Sequence, residues 1–377
     1  MRIGIFAVTA GSEAGGPETY EHCLVRCLSR IAPNDEFHIF CLSEKARASF
    51  QCEQSNIFFH VLKPRIRWIS IPFSLPISLC ASGVDFFHAT FIPPPLTRQE
   101  FIFTMHCYSN FLHPEFYDST VLWRLNRSIV SGLRRARTIV CVSECVRNLV
   151  AMDFKIPIER LPVVHNGIDE KFCPVPRESA RELIRRKYQL ARPYALFVGQ
   201  IKARKNVLRI LEAFYQVRQQ GFADLALVLA GRRSWTSEGI DDCINRLKLR
   251  DHVFEIGHVS LHDLPALYSA SEMLVFPSLW EGFGIPVIEA MACGTPVITS
   301  NLSALPEVVG NAGLLVDPYS VEEIAGAMHR VLSHWDVGND LRLRGLQRAK
   351  HFSWERSARE TIRAYQSTGL NLKPAVA

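Results

Sequence analysis

Two doubly wound α/β domains in tandem are what this sequence predicts, and three observations carry the expectation. Short apolar runs alternate with amphipathic helical stretches along the chain, the pattern of parallel strands covered on both faces. The alternation pauses and restarts once, at a polar, proline-bearing stretch near the middle. The chain has 377 residues, more than a single hydrophobic core usually organises.

In the first half, strand-like runs fall at residues 2–8, 37–42, 57–62, 85–89, 101–106 and 138–142, with helical stretches at 17–31 and 121–136. The break follows Asn166-Gly167-Ile168-Asp169, after which Pro174 and Pro176 stand in a polar linker. Strand-like runs resume at 194–199, 225–231, 253–257, 273–277, 296–299 and 314–316. The last segment, 354–365, is amphipathic, with Ile362 and Tyr365 on one face. Residues 1–170 thus read as one domain, 171–350 as a second, and 351–377 as a C-terminal helix and tail. Two such sheets in tandem place a ligand cleft at the carboxyl ends of both sets of strands.

Composition excludes several function classes. Hydrophobic residues make up 48% and charged residues 21%, as in an ordinary soluble globular protein. The formal charge of +6 suits anionic substrates or an anionic membrane surface. It is too diffuse for nucleic acid, and no aromatic-basic repeat of the kind single strands need is present. Eleven cysteines form no Cys-x2-Cys pair, and Cys23/Cys27 and Cys141/Cys145 are the only close pairs at helical spacing. An odd, frameless count fits reduced thiols in a cytosolic protein. The N-terminal residues are strand-like without a signal peptide's cleavage region, and no run approaches the roughly 20 apolar residues of a membrane span. A cytoplasmic location is expected.

The stretch from Phe276 to Pro296 concentrates the chemistry. A short apolar strand closes at Pro277, which cannot extend a ladder. Gly282 and Gly284 follow in a turn that tolerates unusual backbone angles and close ligand approach. A helix then starts at Ile285 with Pro286 in its first turn, and ends before Gly294. Strand, glycine turn and helix N-terminus make an anion site, because unpaired N–H groups converge there. Glu281 and Glu289 frame the turn. Carboxylates accept well from sugar hydroxyls, so phosphates between two carboxylates suit a nucleotide sugar.

At these residues the chain resembles the retaining GT-B glycosyltransferases of glycosyltransferase family four, also called group 1. Glu281-Gly-Phe-Gly-Ile-Pro-Val-Ile-Glu289 followed by Ala-Met-Ala-Cys-Gly-Thr-Pro carries that family's Glu-x7-Glu signature, and Asn166-Gly-Ile-Asp matches its interdomain crossing. The resemblance implies the GT-B fold, two tandem Rossmann-like domains with an interdomain cleft, and a C-terminal helix that returns to the first domain. It also implies transfer of a hexosyl unit from a nucleoside-diphosphate sugar to an acceptor hydroxyl, with retention of configuration. The implied setting is surface glycan or glycolipid synthesis, with a glycan or lipid-linked acceptor. The closest-looking subgroup, similar to bacterial mannosyltransferases, tilts the donor toward GDP-mannose.

The resemblance also distributes roles. Arg204 and Lys205, cations at a helix start where the dipole favours anions, would neutralise the departing diphosphate. Position 200 is Gln where many relatives have Arg, so Arg204 would supply the second charge. Glu281 would bind the donor sugar and Glu289 the ribose, with backbone at Gly282, Phe283, Gly284 and Ile285 near the phosphates. In the first domain Gly15 and Gly16 would let amides approach the donor. His106 would contact sugar or acceptor, although Cys107 replaces the subgroup's Asp. Gly199 and Phe254 complete the set, Phe254 flanking the base. With cations supplied by side chains and no Asp-x-Asp motif, neither metal nor other cofactor is expected.

Other readings stand beside these. His88 lines the acceptor side or is a core histidine. Residues 63–79, with Lys63, Arg65, Arg67 and Trp68, read as ordinary helix packing with snorkelling cations, or as a peripheral membrane patch at the inner face. Arg134, Arg135 and Arg137 serve an anionic acceptor or face solvent. A GT-B epimerase, a non-catalytic nucleotide-sugar-binding partner, and a membrane-associated interaction protein are the alternative functions.

Overall fold

A computed structural model describes residues 1–12, 15–50, 52–97, 99–234 and 238–367. The chain divides into two compact units, Met1–Gly167 joined by the residues from Ser353, and Ile168–Phe352. The first contains one parallel sheet of six strands: β1 (Arg2–Ala7), β2 (Glu36–Cys41), β3 (Ile57–Val61), β4 (Phe86–Ala89), β5 (Phe101–Met105) and β6 (Thr138–Cys141). The second contains another: β7 (Tyr194–Val198), β8 (Ala226–Ala230), β9 (Val253–Gly257), β10 (Met273–Phe276), β11 (Val297–Ser300) and β12 (Leu314–Val316). The spatial orders are β3-β2-β1-β4-β5-β6 and β9-β8-β7-β10-β11-β12. Counted within each unit, both are 3-2-1-4-5-6, the doubly wound arrangement whose order reverses beside the first strand.

The strands form where the apolar runs predict them. β7, β8 and β10 are buried along their whole length, as parallel strands covered on both faces require. Helices are started by side chains that satisfy orphan amides. Asp118 accepts from Thr120 N and Val121 N at 2.9 and 3.1 Å to open helix Ser119–Arg135. Ser353 accepts from Arg356 N at 3.1 Å to open helix Trp354–Gln366.

Helix Trp354–Gln366 belongs to the first unit and packs along helix Gly16–Ile31. Its buried stripe includes Trp354, Ala358 and Tyr365, with Ile362 partly buried against the same core. Gly167 passes so close to this helix that a Cβ there would lie 2.1 Å from Trp354 N.

Packing bears on two of the open alternatives. His88 lies inside β4 and is fully buried, its Nδ1 2.8 Å from the Tyr365 hydroxyl and its Nε2 2.7 Å from Thr104 Oγ1. Both ring nitrogens are used within the core, so it is a structural histidine and lines no acceptor surface. Residues 67–81 are helical through a π turn at Ser70–Ser74. Ordinary packing describes only one face, Leu75 and Leu79, since Ile69, Phe73 and Ile77 are turned to solvent.

Candidate active site

The candidate residues gather, in each unit, at the carboxyl edge beside the point where strand order reverses. In the second unit that point lies between β7 and β10. From β7 the chain runs through Gly199 and Gln200 into a single turn, Ala203–Lys205, and then helix Val207–Gln219. From β10 it runs through Pro277 to the glycine turn and helix Ile285–Ala292. Adjacent strands therefore deliver two loops far apart in sequence to one place.

There Glu281 pairs with both cations. Lys205 Nζ lies 2.5 Å from Glu281 Oε1, and an Arg204 guanidinium nitrogen lies 3.2 Å from Oε2. The side chains of all three are at least 87% buried. Burial pushes the Glu281 carboxyl upward, but Arg204 and Lys205 outweigh it and hold the group at about 2. Glu281 is ionised at neutral pH, and the three groups together carry a formal +1. Arg204 also donates to Trp280 O. The Lys205 ammonium stands 4.5 Å from the centre of the Phe276 ring, a favourable cation–π distance. A Cβ on Gly199, whose φ is +142°, would lie 4.0 Å from Lys205 Nζ, which places that glycine beside the cluster.

Several supports were not visible in the sequence reading. Asn206, buried with φ +62°, donates to Pro277 O at 3.0 Å and Pro318 O at 2.6 Å, tying the cationic turn to the end of β10. Leu279 N donates to Arg204 O at 2.9 Å, and Glu281 N to Ser303 Oγ at 3.0 Å. The signal for Asn206 was there: Asn directly before a helix is a frequent left-handed or capping residue.

Gly284 has φ +105° and caps helix Ile285–Ala292. A Cβ on it would meet Leu305 Cδ2 at 2.7 Å, a side-chain tip that would have to shift, while the positive φ itself selects glycine. Phe283 is buried with its ring edge-on to Phe352, centroids 5.6 Å apart. Glu289, in that helix, is buried and accepts from the Tyr268 hydroxyl at 2.8 Å. Burial pushes its carboxyl up to about 7, against the opposing pull of the Tyr268 hydrogen bond and Lys171. The two signature glutamates thus have opposite electrostatics: one fixed as an anion, one poised near neutrality. Phe254 is half-buried, the second residue of edge strand β9, three positions short of the carboxyl edge. The structure does not bring it to the cluster. Gln200 is exposed and accepts from Lys202 Nζ at 3.2 Å.

In the first unit the reversal lies between β1 and β4. Gly15 caps helix Gly16–Ile31 with φ +73°, and a Cβ there would meet nothing within 4 Å. Glu13 and Ala14 of the same loop lie outside the described residues. His106 stands one residue beyond β5. Its Nε2 is 2.8 Å from Thr90 O, and a carbonyl only accepts, so Nε2 carries the proton. Burial lowers its pKa to about 4 despite that hydrogen bond. The ring is neutral at pH 7 and its Nδ1 is an acceptor. Tyr20 packs edge-on against it, centroids 4.5 Å apart. Cys107 Sγ is 3.0 Å from Ser109 Oγ, inside a local turn.

Glu21, which the sequence reading passed over, organises this edge. It is fully buried, accepts from Thr9 N at 3.0 Å and lies 2.7 Å from Thr90 Oγ1. Burial raises its carboxyl to about 7, opposed by hydrogen bonds from Thr9 and Thr90. Through Thr90 it fixes the carbonyl that orients His106. Among the described residues no group of three or more His, Cys, Asp or Glu is placed to hold a metal ion, and no helix is long and apolar enough to cross a membrane.

Comparison with known proteins agrees with the two-unit fold. Residues 14–172 match the model described as Glycosyltransferase Family 4, and 180–350 that described as Glycosyl transferases group 1. The chain is 34% identical over 278 residues to the O-antigen chain mannosyltransferase B of Escherichia coli, covering 73% of this chain and 72% of that protein. It is 28% identical over 238 residues to the serotype-specific mannosyltransferase WbdA of Escherichia coli, covering 62% of this chain but only 29% of that longer protein. Among solved structures, sucrose-phosphate synthase from Thermosynechococcus elongatus superposes with a TM-score of 0.77 at 21% identity, covering 97% and 98% of the two chains. The two doubly wound units and this structural likeness define the GT-B fold, and the family models with the O-antigen relative make the chain a glycosyltransferase. The chain belongs to glycosyltransferase family four.

Proposed function

We propose that the enzyme moves a mannosyl unit from GDP-mannose to a hydroxyl of a lipid-linked or surface-polysaccharide glycan, with retention and without a metal, as a peripheral protein at the inner membrane face. The observation that carries the donor half is the buried cluster of Arg204, Lys205 and Glu281 beside the start of helix Ile285–Ala292. A diphosphate leaving group needs concentrated positive charge, and two buried cations held in place by a carboxylate supply it without reorganising during the reaction. A well-placed donor of this kind contributes about 3 kcal/mol in the transition state. Because both cations are side chains, no divalent ion is needed to neutralise the departing phosphates.

Glu281 in this reading does two jobs. It orients Arg204 and Lys205, and its remaining lone pairs accept from the donor's sugar hydroxyls. Glu289 takes the ribose hydroxyls, and its ionised form is the better acceptor. His106, neutral with Nδ1 accepting, contacts a sugar hydroxyl rather than acting as a cationic acid. Support for mannose comes from the relatives, whose names are those of mannosyltransferases, and the acceptor class from the O-antigen relative.

The test is a thermal-shift panel of GDP, UDP and ADP with their common sugars, with and without EDTA, followed by turnover with the selected donor. A rise for the GDP series that survives EDTA, and loss of turnover in Lys205→Ala with an intact fold, is the expected result. Response to UDP or ADP alone would move the donor. Release of free epimerised sugar without acceptor would favour the epimerase reading instead.

A further inference from the structure

Residues 63–82 contain Lys63, Arg65 and Arg67 and no Asp or Glu; residues 119–137 contain five arginines and again no acid. Helices cover residues 67–81 and Ser119–Arg135, both in the first unit, with Lys63 and Arg65 in the bend that leads into the first of them. The helical run from Arg67 to Ala81 is apolar on two opposite faces. Ile71, Leu75 and Leu79 recur every four residues and are buried, while Ile69, Phe73 and Ile77, at the same spacing, are 41, 56 and 68% exposed. A helix that borders water turns polar side chains outward, so an outward apolar stripe marks a surface that meets something other than water.

Two exposed tryptophans extend the stripe. Trp68 lies under the guanidinium of Arg124, 4.3 Å from the ring centre, and Arg127 stands 5.5 Å over Trp123. The stripe on one helix and the arginines of the other therefore share one surface. Helix Ser119–Arg135 adds an open groove of about 870 Å³ lined in part by Leu122, Trp123, Val130 and Arg127. Its placement also matters. Residue 63 follows directly from the carboxyl end of β3, the edge at which Gly11, Thr90 and His106 emerge from β1, β4 and β5. Helix Ser119–Arg135 runs back toward β6, so Trp123 and Arg124 sit in its half nearest that same edge.

We infer that the outward face of residues 66–77, with Trp123, Arg124 and Arg127, is the surface by which this enzyme docks on an anionic lipid membrane. The inference rests on the proposed lipid-linked acceptor and names the surface that would bring it within reach of the first unit's site. Apolar side chains enter the headgroup boundary, tryptophans sit at its level, and arginines meet anionic headgroups. A second copy of this chain fits worse: pairing the surface with itself would oppose Lys63, Arg65, Arg67, Arg124 and Arg127 with the same cations and no carboxylate.

The test is flotation of the full chain with vesicles of equal phosphatidylglycerol and phosphatidylcholine, or phosphatidylcholine alone, with neither nucleotide nor acceptor present. Binding to the anionic vesicles that weakens with salt is expected. Arg124→Ala with Arg127→Ala should lower partitioning roughly 25-fold, about fivefold per arginine. Phe73→Ser with Ile77→Ser should lower it roughly a hundredfold, and both pairs should unfold at the wild-type midpoint because these side chains are exposed. Equal binding to the neutral vesicles, or unchanged binding by both variants, overturns the inference. So does a self-dimer by light scattering that the same substitutions dissolve. Vesicle binding in a protein that ignores every nucleotide would sink the donor reading and leave this surface standing. Nucleotide response without vesicle binding would do the reverse.

Discussion

Glu281→Gln is the sharpest probe of the cationic cluster, because it removes a charge while keeping shape. The carboxyl is held at about 2 instead of 4.5, the depression by Arg204 and Lys205 exceeding the upward push of burial. At about 1.36 kcal/mol per pH unit, that difference is worth about 3 kcal/mol of pairing. The sign follows from the depressed value: the contribution is complete above pH 4.5 and is lost as pH falls toward 2. Glutamine is uncharged throughout and forfeits it at neutral pH. Removing one partner of a buried ion pair costs about 3–5 kcal/mol by a separate route, so the two figures agree. Urea unfolding read by hydrogen exchange, which follows the second unit separately, should show a loss of about 3 kcal/mol at pH 7. A nucleoside diphosphate supplies a substitute anion for the same cations. The variant should therefore bind GDP at least as tightly as the wild type, and a hundredfold excess over Kd should return about 2.7 kcal/mol. Turnover should nevertheless fall a hundredfold or more, since the sugar hydroxyl exchanges a charged acceptor for a neutral amide that also presents an N–H₂ donor. A destabilisation below about 1 kcal/mol would refute the pairing argument. A tenfold loss of GDP affinity would show that Glu281 holds the nucleotide rather than orienting its cations.

Substitutions at three further positions test the remaining groups. Burial raises Glu289 to about 7, so stability falls as pH rises from 4.5 through 7. Glu289→Gln should match the wild type at pH 4 and exceed it by up to about 3 kcal/mol at pH 8, while losing about tenfold in nucleotide affinity by calorimetry. Glu21→Ala strands Thr9 N, while the Thr90 hydroxyl keeps Phe6 O as its partner at 2.6 Å, and should cost about 1–3 kcal/mol in urea unfolding. Glu21→Gln, which keeps acceptor and volume, should cost under about 1 kcal/mol at pH 7 because the native carboxyl is itself near half-protonated there. His106→Ala should lower kcat yet leave the shape of the pH–rate profile between pH 6 and 8 unchanged, since His106 titrates near 4; a lost inflection would restore a proton-transfer role.

The strands were legible because a parallel strand buried on both faces is a continuous apolar run, and each of the twelve lies within one residue of its expected ends. Glu281 and Lys205 were legible one at a time, from the glycine turn and the misplaced cations. Their contact was not, because it depends on β7 lying beside β10, and spacing along the chain says nothing about strand order. Glu21 was missed for a different reason. On a helix an isolated glutamate usually faces water, and only the amide of Thr9 and the hydroxyl of Thr90 arriving from two other elements reveal a buried one. The stripe at Ile69, Phe73 and Ile77 shows the limit of periodicity. A helix apolar on two faces has no phase to read, and which face meets the core is settled by packing.

One strand order in both units nevertheless gives two kinds of site, and the difference is electrostatic. Beside β7 and β10 the chain delivers full charges, two cations and a carboxylate fixed as an anion. Beside β1 and β4 it delivers groups that are neutral or nearly so at pH 7: His106, Thr90 and a half-protonated Glu21. Both edges are buried, so burial alone does not set the contrast; the presence or absence of a partner charge does. A phosphate is stabilised strongly only by the first arrangement, and a hydroxyl needs no more than the second. Under the proposed function, the placing of the donor phosphates beside the second unit's sheet would therefore follow from which loops carry cations, not from the strand order that the two units share.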